Sequence, residues 1–268
     1  MATPEVRSGS RAFFSAHPVF RREEYAKAVR RPSDDKVVTV MLSQHLKAGN
    51  IRRVARGVFA SVPPHGDAQR WVMDRFLAAS RLKSDAVIAY HSALELHGCA
   101  YTDAPEVQAI SRGAPTLFET PDFSCRFLKK PSGLVATRDI EVLDRAGLEL
   151  RVTTLERTLV DLFDRHDLAG GADELFNSLA LVERVKPDPL VRQARGLKSA
   201  SVAGALGWWL EREKKRLAVP DAAIAALRSL KPRHAQYVLG VKPGDAKSVG
   251  AWNILVPSAL LSGAFEGA

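Results

Sequence analysis

The sequence predicts an α+β protein, and three observations lead to that prediction. An amphipathic helix and two short strands occupy residues 35–61, four strand-like segments lie between residues 106 and 152, and helical periodicity dominates the remainder. The 268 residues suffice for two or three domains with a sizeable core. Prolines and a glycine at residues 62–66 mark the clearest linker. We therefore divide the chain into residues 1–65, a mixed α/β domain at 66–183 and a mostly helical part at 184–268.

The segment at residues 35–47 has the pattern of a helix with one buried side. Asp34 or Asp35 can cap its start, and Gly49 ends it, as a glycine after a helix commonly does. The apolar residues expected on the buried side are Val37, Val40, Met41, Leu42 and Leu46. The side chains expected to face outward, all able to donate hydrogen bonds to phosphates or base edges, are Lys36, Thr39, Ser43, Gln44 and Lys47.

A short basic hairpin follows this helix. Residues 51–54 and 58–61 have the pattern of its strands, and Ala55, Arg56 and Gly57 form the connection, where glycine can adopt a positive φ. Arg52, Arg53 and Arg56 lie on the hairpin, and two shorter helices at 11–16 and 21–29 precede the segment. A helix followed by an arginine-bearing hairpin is typical of the winged helix-turn-helix. In that fold the helix enters the major groove of DNA and the hairpin reaches the flanking backbone.

The distribution of charge supports a polyanionic partner for the N-terminal region. The net charge is +9, and residues 1–65 carry 12 Lys and Arg against 5 Asp and Glu. The middle of the chain is acidic and the C-terminal third is basic again. There Trp208 and Trp209 are followed by four cations, which favours first a helix that buries its tryptophans and extends its cations into water. A second DNA contact is the next interpretation, and an RNA-binding surface is the third.

Composition excludes several other classes of protein. The apolar runs are short and interrupted by charge, so we expect no membrane span, and the first 20 residues lack the apolar core of a signal peptide. Cys99 and Cys125 are too few for a disulfide scaffold and lack metal-ligand spacing. We expect both to be reduced thiols in a cytoplasmic protein.

The rest of the chain predicts further helices and strands in a definite order. Asp67 is expected to begin a helix that runs to Leu82, and Thr153 and Glu156 fit a capping box at the start of a helix over residues 153–165, with Arg157 exposed. The four strands are expected at 106–111, 123–129, 140–143 and 148–152. Later helices are expected at 173–183, 189–195, 201–217, 220–230 and 233–239, and a last strand at 252–256.

The sequence does not favour an enzyme. His91 and Glu95 are spaced to share one helical face, as metal ligands can be, but no third ligand is evident and structural packing is the stronger interpretation. No nucleophile elbow, phosphate-binding loop or dinucleotide fingerprint occurs. We therefore predict no catalytic residues, no metal and no cofactor. A magnesium-dependent nuclease is the weakest alternative, because it needs a paired-carboxylate site that we do not find between residues 67 and 183.

Three features together resemble the AbiEi antitoxin family of bacterial AbiE toxin–antitoxin modules. They are the N-terminal winged helix, the segment SALELHG at residues 92–98 and the segment ERTLVD at residues 156–161. Their order and spacing match over most of the chain, to about Glu183. The resemblance implies a repressor that binds inverted repeats in the promoter of its own operon and counteracts a nucleotidyltransferase toxin encoded beside it. The family is placed among type IV systems, in which the antitoxin need not bind the toxin directly.

The resemblance also assigns roles to residues of the N-terminal domain. DNA reading falls on Lys36, Thr39, Ser43, Gln44 and Lys47, and among these Ser43 and Gln44 suit base edges best, because both can donate and accept. Phosphate anchoring falls on Arg52, Arg53 and Arg56. His45 is expected to be half-buried rather than directed at DNA. The alternative function is a stand-alone winged-helix regulator whose larger domain senses a ligand or a protein.

Overall fold

A computed structural model describes residues 4–63, 71–129 and 138–261, with side chains from residue 10 onward. It is mixed α+β, as predicted. The described residues form one small sheet near each end of the chain and a larger sheet between them. Residues 64–66 of the predicted linker lie outside the described residues. The predicted boundaries between domains stay a prediction.

The N-terminal unit (residues 4–63) consists of three helices and a three-stranded antiparallel sheet. Its sheet has the order β1-β3-β2, so the last strand lies between the other two. The elements in chain order are α1 (Pro4–Ala16), β1 (Val19–Arg21), α2 (Arg22–Ala28), α3 (Lys36–Lys47), β2 (Ile51–Ala55) and β3 (Val58–Ser61).

The core of this unit is built from rings. Phe13, Phe20 and Tyr25 have centroids 5.0–6.0 Å apart, and Phe59 of β3 stacks on Phe20 at 5.7 Å. Such aromatic contacts bury a large apolar area for few residues. Val38 and Leu42 of α3 join the same cluster, so α3 is held on the core by one side.

Two features of this unit differ from the helices predicted at 11–16 and 21–29. Helix α1 begins at Pro4, earlier than predicted, and residues 19–21 form strand β1, where no strand was predicted. β1 pairs with β3 in the register Val19 with Ala60. A three-residue strand is too short to show period-two alternation, so its assignment depends on that partner.

The central part of the chain forms a six-stranded mixed sheet flanked by two helices. The strand order is β6-β7-β5-β4-β9-β8, with parallel pairing of β5 with β7 and of β4 with β9. The four predicted strands are confirmed, and the short strands β4 and β6 are additional. The elements are α4 (Arg75–Leu82), β4 (Val87–Ile88), α5 (Tyr90–Leu96), β5 (Glu106–Ser111), β6 (Thr116–Glu119), β7 (Ser124–Lys129), β8 (Ile140–Arg145) and β9 (Leu148–Thr153).

Helix α4 begins later than predicted. The side chain of Asp74 accepts hydrogen bonds from the backbone N–H groups of Phe76 and Leu77, both at 3.0 Å. This is the geometry of an N-cap, and residues 71–74 before it are not helical. Asp67, which was expected to cap the helix, lies outside the described residues. Asp74, seven residues after Asp67, gives the same capping signal in the sequence, and it is the N-cap of α4.

From Leu155 to Leu261 the described chain is mostly helical, with one small sheet of order β10-β12-β11. The helix expected at residues 233–239 is wrong, because Gln236 and Tyr237 instead pair in parallel with Ile254 and Leu255. The elements are α6 (Leu155–Asp164), α7 (Ala172–Ala180), α8 (Pro187–Leu197), α9 (Ala200–Arg212), α10 (Asp221–Arg228), β10 (Gln236–Tyr237), β11 (Ala246–Val249) and β12 (Ile254–Pro257).

None of the helices within the described ranges has the length and apolar character that crossing a membrane requires.

The small N-terminal sheet is packed on both faces. Phe59 faces the aromatic core of its own unit, whereas Val58 and Ala60 belong to a second cluster that contains Phe76 and Leu77 of α4. Alternate residues of a strand point to opposite faces, so β3 serves both cores. Hydrophobic contact therefore continues from the N-terminal unit into the central sheet domain.

Candidate nucleic-acid interface

Helix α3 has well-formed ends. Asp35 is its N-cap, and one carboxylate oxygen accepts from the backbone N–H of Val37 at 2.8 Å. That hydrogen bond, followed by the guanidinium of Arg31, lowers the pKa of Asp35. At the other end, Gly49 has φ +71°, its N–H donates to Leu46 and that of Asn50 donates to the carbonyl of His45. This pair of bonds is a Schellman motif, which confirms Gly49 as the stop signal.

The outward face of α3 contains the predicted polar residues. Lys36, Thr39, Gln44 and Lys47 are exposed, and Ser43 is partly exposed. One predicted feature of the helix was wrong: Val37 and Val40 do not belong to the buried side. Their exposed fractions are 42% and 55%, and the buried positions are Val38 and Leu42. The buried side of the helix is therefore a different one from that predicted, because the aromatic cluster contacts the side that carries Val38.

Arg22 organises the interface and was not identified from the sequence. Its backbone N–H donates to the carbonyl of Gly57 in the hairpin turn at 2.8 Å. Its guanidinium donates to the carbonyls of Ser33 and Asp35 and, at 2.8 Å, to the hydroxyl of Thr39. Arg22 thus links the hairpin turn to the start of α3. No local pattern in the sequence indicates these contacts, since they join three separate segments.

His45 is half-buried, as predicted. Its ring makes edge-to-face contacts with Phe14 at 4.8 Å and with Tyr25 at 6.0 Å between centroids. Burial lowers the pKa of His45, which disfavours a positive charge on the ring. It contributes packing rather than positive charge to this helix.

The hairpin places its arginines differently from one another. Arg56 is exposed in the two-residue turn with Gly57, whose φ is +77°. Arg53 is exposed beside Phe59, with its guanidinium carbon 5.9 Å from the ring centroid. Arg52 lies 5.7 Å from the ring of Trp71 and pairs with Asp122 at 3.9 Å.

These positions rank the arginines as phosphate ligands. Arg53 and Arg56 are both exposed on the hairpin. The carboxylate of Asp122 offsets part of the charge of Arg52. Of the three predicted phosphate ligands, Arg53 and Arg56 are therefore the better candidates.

His91 lies between two glutamate side chains, with one ring nitrogen facing each. Nδ1 of His91 lies 3.3 Å from Oε1 of Glu95, and Nε2 lies 3.3 Å from Oε1 of Glu174. Burial lowers the pKa of His91, but the hydrogen bonds with both glutamates outweigh it and the pKa is raised. Arg75 also pairs with Glu95. The described residues contain no group of three or more His, Cys, Asp or Glu arranged to hold a metal ion.

The segment ERTLVD at the start of α6 differs from its prediction in two ways. The N-cap is Thr154 rather than Thr153, so Glu156 is one position too early for a capping box, and its carboxylate accepts from the backbone N–H of Lys186 at 2.8 Å. Arg157, expected to be exposed, is fully buried and pairs with Asp161 at 3.4 Å. The burial of Arg157 could not be predicted from its own helix, because it depends on contacts with other segments, such as the carbonyl of Arg138.

The basic segment after Trp208 and Trp209 agrees with its first interpretation. Both tryptophans are buried, and the exposed Arg212 lies 5.3 Å from the ring of Trp208. Lys214 and Arg216 form ion pairs with neighbouring carboxylates. Arg212 thus covers one buried indole, and Arg216 also donates to the backbone carbonyls of Val182 and Leu179.

Comparison with solved structures finds a likeness of fold. The crystal structure of the RV2827C protein from Mycobacterium tuberculosis matches with a TM-score of 0.58 at 13% sequence identity, over 95% of this chain and 92% of that chain. At this identity the likeness concerns the fold alone. No protein-family model matches the chain, and no curated protein matches it.

Proposed function

We propose that the N-terminal unit is a winged helix that binds double-stranded DNA. The observation that carries the proposal is the order helix–strand–helix–helix–strand–strand with the sheet order β1-β3-β2. In this arrangement β2 and β3 follow α3 directly, and a two-residue turn joins them. Helix α3 then serves as the recognition helix, and β2 and β3 form the wing.

The charges on this unit suit that role. Lys36 and Lys47 lie near the two ends of the exposed face of α3, and Arg53 and Arg56 extend from the wing. Cations in these places contact phosphates on either side of a groove, while Ser43 and Gln44 between them can reach base edges.

We further propose that the protein is an antitoxin that represses its own toxin–antitoxin operon at inverted repeats in the promoter and counteracts a cognate nucleotidyltransferase toxin. The support is the resemblance of SALELHG and ERTLVD to the AbiEi family. The first segment includes the end of α5 and the second lies in α6, and these two helices pack against each other. Direct binding of the toxin is not required by this proposal.

The DNA-binding half is tested by a gel-shift titration of the full chain. The DNA is the region upstream of its own gene, with a scrambled duplex of equal length beside it. We expect selective binding by the native protein and weak binding by an Arg53→Ala, Arg56→Ala variant. The slope of log affinity against log salt should fall by about two units in that variant, since each lost phosphate contact removes about 0.9.

Arg112→Ala is the matched control, because Arg112 is an exposed arginine far along the chain from the wing. It should bind like the native protein. Equal, weak binding of native protein to both duplexes would contradict autoregulation. The antitoxin half is tested separately, by asking whether the chain restores growth to cells expressing the neighbouring nucleotidyltransferase gene.

A polar cavity favours the stand-alone regulator as second candidate. It has a volume of about 250 Å³ and lies where the N-terminal unit meets the central domain. Its charged lining residues are Arg21, Glu24, Arg81, Glu149 and Arg151. Three guanidinium groups against two carboxylates leave the lining positive, which suits an anion. Inorganic phosphate that raises Tm in the native protein but not in Arg151→Ala, and that changes DNA affinity, would support a sensing role.

A further inference from the structure

We propose that Val40, assisted by Val37, reads the methyl groups of thymine in the major groove. The inference rests on the DNA binding proposed above and goes beyond it, because it names which feature of the base sequence the protein recognises. The predicted DNA-contacting residues were all polar, and neither valine was among them.

Val40 occupies the centre of the exposed face of α3. At about 100° per residue, Lys36, Gln44 and Lys47 project within about 40° of its direction, and Val37 lies about 60° away. The buried residues Val38 and Leu42 project on the opposite side of the helix. Val40 is therefore at the centre of the surface that α3 would present to a groove.

The stability of the protein does not account for these two valines. Their side chains are among the exposed large hydrophobic groups of the described residues, so they gain little from burial. Valine is also a weaker helix former than alanine, leucine or lysine. Two adjacent apolar side chains at the middle of an exposed, otherwise polar face therefore indicate a contact made on binding.

The charge around the valines identifies that contact as DNA rather than a second copy of this chain. Lys36 and Lys47 border the apolar pair, and Arg53 and Arg56 lie on the wing that follows. A symmetric interface built on this face would bring the cations of both copies together, which is unfavourable. A DNA groove instead offers phosphates to the cations on either side.

The chemistry of the groove then selects the base. The 5-methyl group of thymine is the apolar feature that the major groove presents, and aliphatic side chains contact it. Gln44, one helical turn after Val40, has the amide geometry that pairs with adenine N6 and N7. The structure thus assigns to α3 a half-site that contains A·T pairs directly beneath Val40 and Gln44.

Replacing thymine by uracil tests this inference without changing a hydrogen bond. Uracil keeps O4 and removes only the methyl group. A duplex that the full chain binds selectively is first obtained from a randomised pool, and each thymine is then replaced singly by uracil. We expect Kd to rise about fourfold at one or two positions, the effect of losing one buried methyl group.

Val40→Ala links the effect to the helix. This variant should bind the thymine duplex about fourfold to tenfold more weakly and should no longer distinguish thymine from uracil. Alanine favours helix, so folding is not at risk. Val142→Ala is the matched control, since Val142 is 56% exposed on strand β8. It should retain both the affinity and the preference for thymine.

The outcomes separate this inference from the proposal beneath it. Selective, wing-dependent binding with equal affinity for thymine and uracil duplexes would overturn the thymine contact and leave DNA binding intact. Failure to select any duplex would overturn both. A Val40→Ala variant that turns a dimer into a monomer while keeping the thymine preference would place a second copy, not DNA, on this face.

Discussion

At the scale of single residues, the pair of Arg157 and Asp161 places two ionisable groups in the interior. Both side chains are fully buried, and their closest atoms lie 3.4 Å apart. Arg157 donates one hydrogen bond, to the carbonyl of Arg138 at 3.0 Å, while neither carboxylate oxygen of Asp161 has a hydrogen-bond partner among the described residues. Burial raises the pKa of Asp161 to about 7, although Arg157 opposes the shift.

A pH dependence of stability follows. A carboxyl whose pKa is raised on folding stabilises the native state fully below its unfolded pKa, near 4, and loses that contribution as pH rises through about 7. Native protein should therefore lose unfolding free energy between pH 4 and 8. The loss is about 1.4 kcal/mol per unit of pKa difference. Asp161→Asn should flatten this part of the profile, measured by urea denaturation.

Asp103→Asn is the control for removing an exposed carboxylate. If the difference in unfolding free energy between Asp161→Asn and native protein stayed constant from pH 4 to 8, the Asp161 carboxyl would titrate alike in the folded and unfolded states. That outcome would contradict the raised pKa.

At the scale of elements, the close approach of α9 to the 3₁₀ turn Gly250–Trp252 depends on glycine. A Cβ placed on Gly207 would lie 2.2 Å from the ring of Trp252, which is fully buried and donates through Nε1 to Glu211 at 2.6 Å. The ring cannot retreat without losing that bond. Gly207→Ala should cost about 1–3 kcal/mol of unfolding free energy, the range for overpacking a core.

Gly244→Ala is the matched control, since no atom lies within 4 Å of the Cβ that it adds. It should change the unfolding free energy little. A smaller ring in Trp252→Phe should recover part of the loss in the double variant, which thermal denaturation would detect. Equal Tm values for Gly207→Ala and native protein would contradict the tight contact.

Elements with signals in their own residues were predicted correctly. Helix α3 is one example, because Asp35 and Gly49 mark its ends locally. The assignment of its buried side failed, because Val37–Val40 and Val38–Leu42 are both compatible with helical periodicity. Only the aromatic rings of other elements decide between them. Strands β1 and β10 were missed for the same reason, since each is fixed by a distant partner strand. The polar part of the candidate interface was predictable, whereas Arg22 and the exposed valines were not.

At the scale of the whole molecule, the N-terminal unit is held against the central domain by both apolar and polar contacts. Helix α4 packs on β1 and β3. Arg21 donates to the backbone carbonyls of Ser80 and Arg81, and Arg81 pairs with Glu24 at 3.5 Å. These contacts fix the orientation of the N-terminal unit, and α3 with it, relative to the central domain. A change in the central domain can therefore reach the exposed face of α3.

This coupling predicts that damage to α4 reaches the N-terminal sheet. Leu77 is fully buried in the cluster that also contains Val58 and Ala60 of β3. Leu77→Ala should cost about 2–5 kcal/mol of unfolding free energy and should lower the hydrogen-exchange protection of the β3 amides.

Leu206→Ala is the control, because it removes an equally buried leucine from a separate cluster that contains α9. It should lower protection in α9 more than in β3. Unchanged exchange of the β3 amides in Leu77→Ala would mean that the N-terminal unit is stable by itself. The central domain would then not be coupled to α3 through helix α4.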